Sequence, residues 1–517
     1  MRNRKLRVLS LLLAVVMLAG LFAGCSKNTA NGDSKDTGKT SEKTSTKDSI
    51  TIATMSETPS MSPYDHNATA GSYMNLLTYN TLFKSNMDME PVPALVDTYE
   101  NISDTEWKMT LKKGIKFHNG ETMTANDVKA SIEYGKTFPE VSLYNDCVKS
   151  IEVVDDQTFI VHTNGVSAVL LNHLCHHGNA IVPKSLIDKG NDFNKNPIGS
   201  GPYVFKNWVL GDKVEFEAFA DYYDGAPAIK KMTWKIIPEG SSRTIALEAG
   251  EIDFIVEVEA MDYDRLKENK DVSIYEYNAT EHNWMMLNNE KPGLDNVLVR
   301  KALNAAIDKE AIVTVALNGR GTAITSHVPN NLPGYSDKNA VKYDPEQAKK
   351  WLAESGVPAS DIYFSIICSN DTKKRAAEVI QANVKEVLGI KCDIESMDLA
   401  TYLSTTGEGN YTASIGNYTA SDMLSFMIGV YHSKSINGSN KTRLNNKDVD
   451  ALIDKASATL DPDERNKTLE ECSALINELC PQVPIYQPIN FRAYNSGLKG
   501  VEVTPSGTLY FENVYWG

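Results

Sequence analysis

The sequence has fewer basic than acidic residues. Its 517 residues include 52 Lys and Arg against 67 Asp and Glu, which gives a net charge of −15. A surface of this sign repels phosphate backbones, so a nucleic-acid partner is disfavoured. Apolar runs for several membrane spans are also missing, and 42% hydrophobic with 23% charged residues is an ordinary soluble composition.

Signatures of enzymes are missing as well. The sequence contains no G-x-S-x-G elbow, no H-E-x-x-H helix and no G-x-x-x-x-G-K-[ST] phosphate loop. The glycines of GSGPYV, which begins at Gly199, precede a strand rather than a helix, so they are not a dinucleotide fingerprint. Internal repeats typical of an adhesin are absent too. We therefore predict a protein that is not an enzyme and has no cofactor, with a hydrolase as the competing class.

Cysteine is scarce, and none of it follows C-x-x-C spacing. Apart from Cys25 there are six cysteines, which allow 15 pairings, so the disulfide connectivity stays open. Cys472 and Cys480 lie in one predicted helix, about 12 Å apart and beyond the reach of a disulfide. We expect buried thiols and a fold that does not depend on disulfides.

The first 24 residues have the pattern of an export signal. Four basic residues precede an apolar run that ends at Phe22 and is about 22 Å long as a helix, too short for a permanent span. An uncleaved anchor is the alternative. The junction LFAGC resembles a lipoprotein signal-peptidase site, with Phe22 where Leu is usual, and predicts lipidation of Cys25. Residues 25–48 are almost entirely polar and are predicted to be a disordered tether.

The remaining chain alternates between strand and helix patterns. It is too long for one hydrophobic core, because chains beyond roughly 300 residues divide into domains. TANDVKASIEYGK predicts a helix that begins at Thr124 or Asn126, and KSIEVVDDQTFIVHT predicts a hairpin that turns at Asp155 and Asp156. DIYFSIICS, TKKRAAEVIQANVKEVLG and IKCDIESM follow as strand, helix and strand, which predicts a right-handed crossover between parallel strands.

Five segments resemble, in order, a known family: the large extracytoplasmic solute-binding proteins of ABC importers that take di- and oligopeptides or nickel complexes. They are LKKGIKFHNGETMTANDVKASIEY, NPIGSGPYVFKNWVLGDKVEF, LNNEKPGLDNVLVRKALNAAID, YDPEQAKKWLAESG and VPIYQP. Each segment alone is a weak indication of the family, but five segments in the correct order over residues 49–517 make the resemblance specific. The resemblance implies an α/β fold in which two lobes form a periplasmic-binding-protein-like clamp (type II, the large cluster with an extra inserted domain).

The resemblance also implies a domain organisation. Lobe one would consist of residues 49–83, 198–287 and 492–517, the inserted domain of residues 84–197, and lobe two of residues 288–491. The ligand would lie between the lobes and hold them closed, which creates the surface that the permease subunits recognise. The protein would be a monomer, anchored to the cell membrane through its lipid and facing the extracellular side or the periplasm.

Peptide-binding relatives hold the ligand main chain as an added strand between one backbone segment of each lobe. Here the resemblance places the lobe-one segment at Glu57, Thr58 and Pro59. The lobe-two segment would be Gly416, Asn417, Tyr418 and Thr419. Pro59 has no main-chain N–H, so the first edge offers fewer hydrogen bonds.

The segment SIGNYTASDMLSF departs from the family pattern in one respect. Peptide-binding relatives usually have an aspartate for the ligand's α-amino group, and the matching position falls on Thr419 or Ala420. A buried ammonium group without a carboxylate is costly. Either Asp422 or Glu57 replaces the aspartate, or the ligand has no free amine.

Two further groups have alternative interpretations. Arg320 lies where relatives pass near the cleft and would hold a ligand carboxylate, or it is a solvated surface residue. The segment NHLCHHG has a spacing that fits zinc, nickel or copper. The resemblance places it in the inserted domain, away from the cleft, and we predict no metal site there; the residues concerned are His173, Cys175, His176 and His177.

We therefore expect a lipid-anchored extracellular protein that captures peptides and delivers them to an ABC permease. A nickel chelate or another small organic solute is the alternative ligand. The sequence does not define the ligand's length or the cognate permease.

Overall fold

The computed structural model describes residues 47–517. The predicted signal sequence, Cys25 and the tether up to residue 46 lie outside the described residues. Among the described helices, none has both the length and the apolar character that a membrane span requires.

Twenty strands are present in the described part. They are β1 (Ser49–Thr54), β2 (Phe83–Ser85), β3 (Pro91–Pro93), β4 (Val96–Ser103), β5 (Glu106–Leu111), β6 (Val148–Val153), β7 (Thr158–Thr163), β8 (Tyr203–Val209), β9 (Lys213–Ala218), β10 (Lys231–Ile236), β11 (Phe254–Ile255), β12 (Val272–Asn278), β13 (Glu281–Leu287), β14 (Gly321–Ala323), β15 (Phe364–Cys368), β16 (Cys392–Ser396), β17 (Ala413–Thr419), β18 (Gln482–Asn495), β19 (Leu498–Lys499) and β20 (Tyr515–Trp516).

The α-helices of the described part surround these strands. They are α1 (Thr69–Thr78), α2 (Ala125–Gly135), α3 (Leu170–His173), α4 (Lys184–Asp188), α5 (Gly240–Glu248), α6 (Tyr263–Glu268), α7 (Val297–Ala306), α8 (Lys309–Leu317), α9 (Pro345–Ser355), α10 (Asp371–Leu388), α11 (Leu399–Gly407), α12 (Met423–Val430), α13 (Lys447–Ser457) and α14 (Pro462–Leu479).

The long strand β18 joins the two halves of a twelve-stranded sheet. Its first part pairs with β13 and β14, and its second part pairs with β11 and β12. We call the half around β1 and β8–β12 lobe one, and the half around β13–β17 with helices α7–α14 lobe two. A separate antiparallel sheet, β4-β5-β7-β6, lies within the segment predicted to be inserted.

The chain crosses between the lobes at two neighbouring places. β12 ends at Asn278, opposite Ile489 of β18, and β13 begins at Glu281 on the side of lobe two. The crossings are therefore residues 279–280 and 488–489, some residues before the boundaries implied at 287 and 491. Because these two short segments carry the main chain between the lobes, we propose them as the hinge.

Each part has its own hydrophobic core. Lobe one packs around Trp234, and this core includes Ile50 from the start of the described chain and Phe511 from its end. The four-stranded sheet packs on α2 around Phe117 and Phe159. Lobe two buries one face of its sheet under α7, α8 and α10, and a second core lies beneath α12, α13 and α14.

Most predicted elements are confirmed. The Asp127 carboxylate accepts from Thr124 N at 2.8 Å at the start of α2, and β6 and β7 form the predicted hairpin. β15 and β16 are parallel and flank α10. The segment TEWKMTLKKGIKF contributes one strand, β5, which pairs with β4 and β7, and the chain then turns at Gly114 with φ +74°. The six cysteines of the described part are unbridged, and four of them are buried.

Candidate ligand-binding cleft

Three cavities follow one another where the lobes and the four-stranded part meet. The hinge cavity (about 290 Å³) is lined by Tyr73, Glu257, Tyr277, Glu281, Thr419 and Arg492. The middle cavity (about 160 Å³) is lined by Ser72, Tyr144, His173, His176, Ser421 and Tyr510. The outer cavity (about 480 Å³) is lined by Trp107, Ser167, Asp422, Leu424, Arg465 and Leu469.

Shared residues connect the three cavities into a row. Ser506 lines both the hinge cavity and the middle cavity. Met89 and Asn172 line both the middle cavity and the outer cavity. Such a row offers space for an elongated ligand, since typical ligand sites measure about 300–1,000 Å³.

The hinge cavity contains a buried arginine. Arg492, on the second part of β18, is only 6% exposed. Its Nη2 donates to Gly507 O at 3.4 Å, and its guanidinium lies 5.1 Å from the centre of the Tyr277 ring. Its Nε has no hydrogen-bond partner in the described part of the chain. A buried charged donor without a partner is costly, and this nitrogen is itself fully buried.

Two carboxylates face the same cavity. Glu281, the first residue of β13, accepts from Asn283 Nδ2 at 2.9 Å. Glu257 accepts from Met55 N at 3.0 Å and from Thr54 Oγ1 at 3.4 Å. Burial raises the pKa of both carboxyl groups, because it disfavours their charged forms.

Strand β17 has an open edge, and its last residue, Thr419, lines the hinge cavity. On one side its residues 413–419 pair with β13, whereas β15 on the other side pairs only with Ala413 and Ser414. The carbonyl of Ile415 points to this second side, where Tyr402 Oη donates to it at 2.8 Å. Main-chain groups alternate between the two sides of a strand, so those of Asn417 and Thr419 point to the open edge as well.

The end of the lobe-two segment that the resemblance indicated, together with the residues just after it, borders the three cavities. Thr419 lines the hinge cavity and Asp422 the outer cavity, with Ser421 between them on the middle cavity. The Asn417 side chain accepts from Lys373 Nζ at 3.0 Å. Gly416 is packed so tightly that a Cβ would lie 2.5 Å from Met286 Cε. Tyr418 packs edge-on against Phe426 rather than lining these cavities.

Asp422 has a structural task at the start of α12. Its Oδ1 accepts from Ser425 N at 2.8 Å, which caps the helix. Its charge also raises the pKa of Arg465, although burial of that arginine lowers the pKa more strongly. Asp422 therefore lies at the outer end of the row, away from the hinge cavity.

The lobe-one residues that the resemblance indicated do not line these three cavities. The Glu57 carboxylate accepts from Trp208 Nε1 at 2.7 Å and from Gly211 N at 2.9 Å, so it holds the hairpin of β8 and β9. Thr58 is buried and donates to Ser60 O at 2.7 Å, and Pro59 is exposed. This geometry disagrees with Glu57 as a partner for a ligand amine, because its carboxylate is already satisfied.

Arg320 has a carboxylate partner within the protein. Its Nη2 lies 2.6 Å from Asp264 Oδ1, and its guanidinium stacks 3.7 Å from the centre of the Tyr263 ring. Both partners belong to α6 of lobe one, whereas Arg320 precedes β14 of lobe two. The structure therefore indicates that Arg320 links the two lobes beside the hinge. This role differs from both sequence interpretations of Arg320.

The histidine segment lines the middle cavity, so its expected place away from the cleft is wrong. His176 stacks on Tyr144, donates from Nε2 to Asn67 Oδ1 at 3.0 Å and accepts at Nδ1 from Gly178 N. Cys175 Sγ lies 3.3 Å from a main-chain carbonyl oxygen. His177 donates to His66 O at 3.1 Å. In residues 47–517 no three His, Cys, Asp or Glu side chains are placed to hold a metal ion.

Sequence reasoning missed the charged groups of the hinge cavity. Glu281 is the only acid in the largely buried strand EHNWMML, and Arg492 is the only base in QVPIYQPINFRAYN. A single charge in a buried strand is a signal for a paired or functional group. The sequence does not show that the two strands bring these residues to one cavity.

The two lobes are joined by the proposed hinge and enclose a row of cavities. This arrangement is typical of a protein that captures a solute by closing around it. The family described as bacterial extracellular solute-binding proteins, family 5 (middle region), matches residues 90–438. The chain therefore belongs to this family, whose members serve ABC transporters as solute-binding components.

Individual relatives cover most of the chain. Heme-binding protein A of Haemophilus influenzae is 30% identical over 84% of this chain and 86% of its own length. Glutathione-binding protein GsiB of Salmonella choleraesuis is 26% identical over 90% of this chain and 94% of its own. The solved structure of DppA from Helicobacter pylori with the peptide STSA has a TM-score of 0.78, 24% identity and coverage of 90% of this chain and 98% of that one, which bears on the fold alone.

Proposed function

We propose that the protein captures peptides in the row of cavities between its lobes and delivers them to an ABC permease. In this proposal Cys25 carries the lipid that anchors the protein to the outer side of the cell membrane. The predicted tether then separates the lobes from the membrane surface. The protein acts as a monomer and makes or breaks no covalent bond in its ligand.

One observation carries the peptide assignment: the open edge of β17 ends at Thr419, which lines the hinge cavity. A peptide main chain that pairs with Asn417 and Thr419 gains hydrogen bonds that do not depend on its side chains. The cavities then accommodate different side chains together with water. The name of the relative GsiB supports this ligand class, since glutathione is itself a short peptide.

The geometry favours a peptide over a nickel chelate. Of the histidines on the middle cavity, His176 and His177 each use both ring nitrogens in hydrogen bonds within the protein. His173 has a 3.9 Å contact from Nδ1 to Cys147 Sγ, and it lies on the same cavity. A single such histidine is a poor metal site, because metal ions in proteins need several ligands.

A thermal-shift screen of the full-length protein tests the proposal. The probes are dipeptides, tetrapeptides and nonapeptides, free Ni²⁺ and nickel–histidine. A ligand at one hundred times its dissociation constant stabilises the folded state by about 2.7 kcal/mol, and we expect peptides to raise the melting temperature accordingly. A shift with nickel–histidine alone, no shift with any peptide, or conversion of a peptide into product would contradict the proposal.

A further inference from the structure

The part of the chain that contains the four-stranded sheet, residues 84–197, is firmly attached to lobe one. His118 N donates to Gly199 O at 2.8 Å, and Tyr64 Oη donates to Ala180 O at 2.9 Å. Tyr64 is also buried in one apolar cluster with side chains of this four-stranded part. Because the two share hydrogen bonds and a core, a rotation of lobe one about the hinge takes the four-stranded part with it.

The four-stranded part also touches lobe two, at the end of the cavity row that lies opposite the hinge. Ala168 N donates to Ser457 O at 3.1 Å. Ser457 is the last residue of α13, and the carbonyls of a helix's last turn have no partner within the helix. Ala168 lines the outer cavity, whereas Ala279, in the crossing between the lobes, lines the hinge cavity. The contact and the hinge therefore lie at opposite ends of the row.

Two apolar side chains of the four-stranded part reinforce this contact. Met89 and Val169 are 5% and 9% exposed, and they belong to the same buried cluster as Met423 and Leu469 of lobe two. Met89 has φ +62°, a left-handed conformation that is unfavourable for residues other than glycine. The Asn86 side chain stabilises this turn by accepting two main-chain N–H groups. The turn thus holds an unfavourable backbone conformation at the residue whose side chain packs into the cluster of lobe two.

We propose that Met89, Ala168 and Val169 form a latch that holds the two lobes closed and slows release of the ligand. This inference rests on the proposed function and concerns closure of the cleft rather than recognition of the ligand. A contact opposite the hinge separates the most when the lobes rotate apart, so it exists only in the closed form and favours that form. It is also small enough to be reversible, because water can replace Ala168 N at the exposed end of α13.

Stopped-flow tryptophan fluorescence on the full-length protein tests the latch, with the dipeptide, tetrapeptide and nonapeptide probes of the thermal-shift screen. Met89→Ala removes the latch side chain, so the release rate constant should rise about tenfold while the association rate constant changes less than about threefold. Met89→Leu should restore most of the slow release. Met87→Ala is the matched control, because Met87 lies in the same turn but is 39% exposed, and release should stay within about twofold of the unaltered protein.

A pair of introduced cysteines tests whether the contact opens and closes. A main-chain hydrogen bond of this kind brings two Cα atoms to about 5.5 Å, within the range of a disulfide, so Ala168→Cys and Ser457→Cys are combined in one protein. With diamide as oxidant, we expect a bound peptide to accelerate formation of this disulfide at least about fivefold. The oxidised protein should release the peptide at least about tenfold more slowly, and dithiothreitol should reverse this. Each single-cysteine variant is the control for the protein's own thiols.

Two outcomes overturn the inference while the proposed function stands. One is peptide release from folded Met89→Ala at the rate of the unaltered protein, or an equal acceleration in Met87→Ala. The other is disulfide formation at the same rate with and without bound peptide, which would make the contact permanent rather than a latch. Circular dichroism and melting temperature verify that each variant is folded. If no peptide of any length binds the unaltered protein, the proposed function itself fails and the latch fails with it.

Discussion

Several histidines are held in their neutral form by burial. His282 and His177 donate from Nε2 to the main-chain carbonyls of Ser326 and His66, at 3.0 and 3.1 Å. Burial lowers the pKa of His282 to about 3 and that of His177 to about 4. Protonation of either ring in the folded state would place a positive charge in a buried, poorly solvated site. These residues therefore make the fold sensitive to acid.

We predict that the protein loses stability as the pH falls from about 6.5 to about 4. In this window the unfolded chain binds protons at histidines that the folded chain keeps neutral, so protonation favours unfolding. For each histidine, every pH unit between its pKa in the unfolded chain and its pKa in the folded chain lowers the free energy of unfolding by about 1.4 kcal/mol. Melting temperatures measured from pH 7.5 to 4.5 check this.

A matched variant identifies the source of the acid sensitivity. In His282→Gln an amide can still donate to Ser326 O but does not titrate, so its melting temperature should fall less steeply with pH than that of the unaltered protein. Equal melting temperatures at pH 7 and pH 4.5 in the unaltered protein would contradict the interpretation.

At the scale of single elements, the open edge of β17 makes a specific prediction. Asn417→Pro removes one main-chain N–H from the open edge and leaves the bonds to β13 in place, and proline is tolerated on such an edge. Calorimetry with a peptide that binds the unaltered protein should show about tenfold weaker binding, the value of one hydrogen bond.

Asn417→Ala is the control for this prediction. It removes the side chain and its contact with Lys373 but keeps the main-chain N–H, so peptide affinity should stay close to that of the unaltered protein. Equal affinity in folded Asn417→Pro would show that the ligand does not pair with this edge.

Sequence patterns predicted the elements well where one segment contains all the information. The crossover through β15, α10 and β16 has its strand and helix periods in one stretch. The segment around Gly416 is a strand, and its role in ligand binding stays a prediction from the resemblance. The partners of Glu57 and Arg320 could not be predicted, because Trp208 and Asp264 are distant in sequence. Glu281 and Arg492 come together only through the pairing of strands more than two hundred residues apart.

At the scale of the whole molecule, Arg320 connects the lobes beside the hinge. Its partner Asp264 is 83% exposed, and exposed ion pairs contribute about 0–1 kcal/mol. We therefore predict that Arg320→Ala changes ligand affinity by less than about fivefold and lowers the melting temperature only slightly. Calorimetry with a peptide and with its C-terminal amide checks this. A loss of more than about tenfold that is specific to the free carboxylate would show that Arg320 contacts the ligand.

The core of lobe one combines the two ends of the described chain. Trp516 Nε1 donates to Ser49 O at 3.0 Å, and Phe511 packs edge-on against Trp234 at 5.8 Å. In the order of synthesis these aromatic residues follow the whole of lobe two, and 467 residues separate Trp516 from Ser49. Lobe one therefore completes its core only after lobe two has been made, and deletion of residues 511–516 would leave β1 and β10 without their covering aromatic residues.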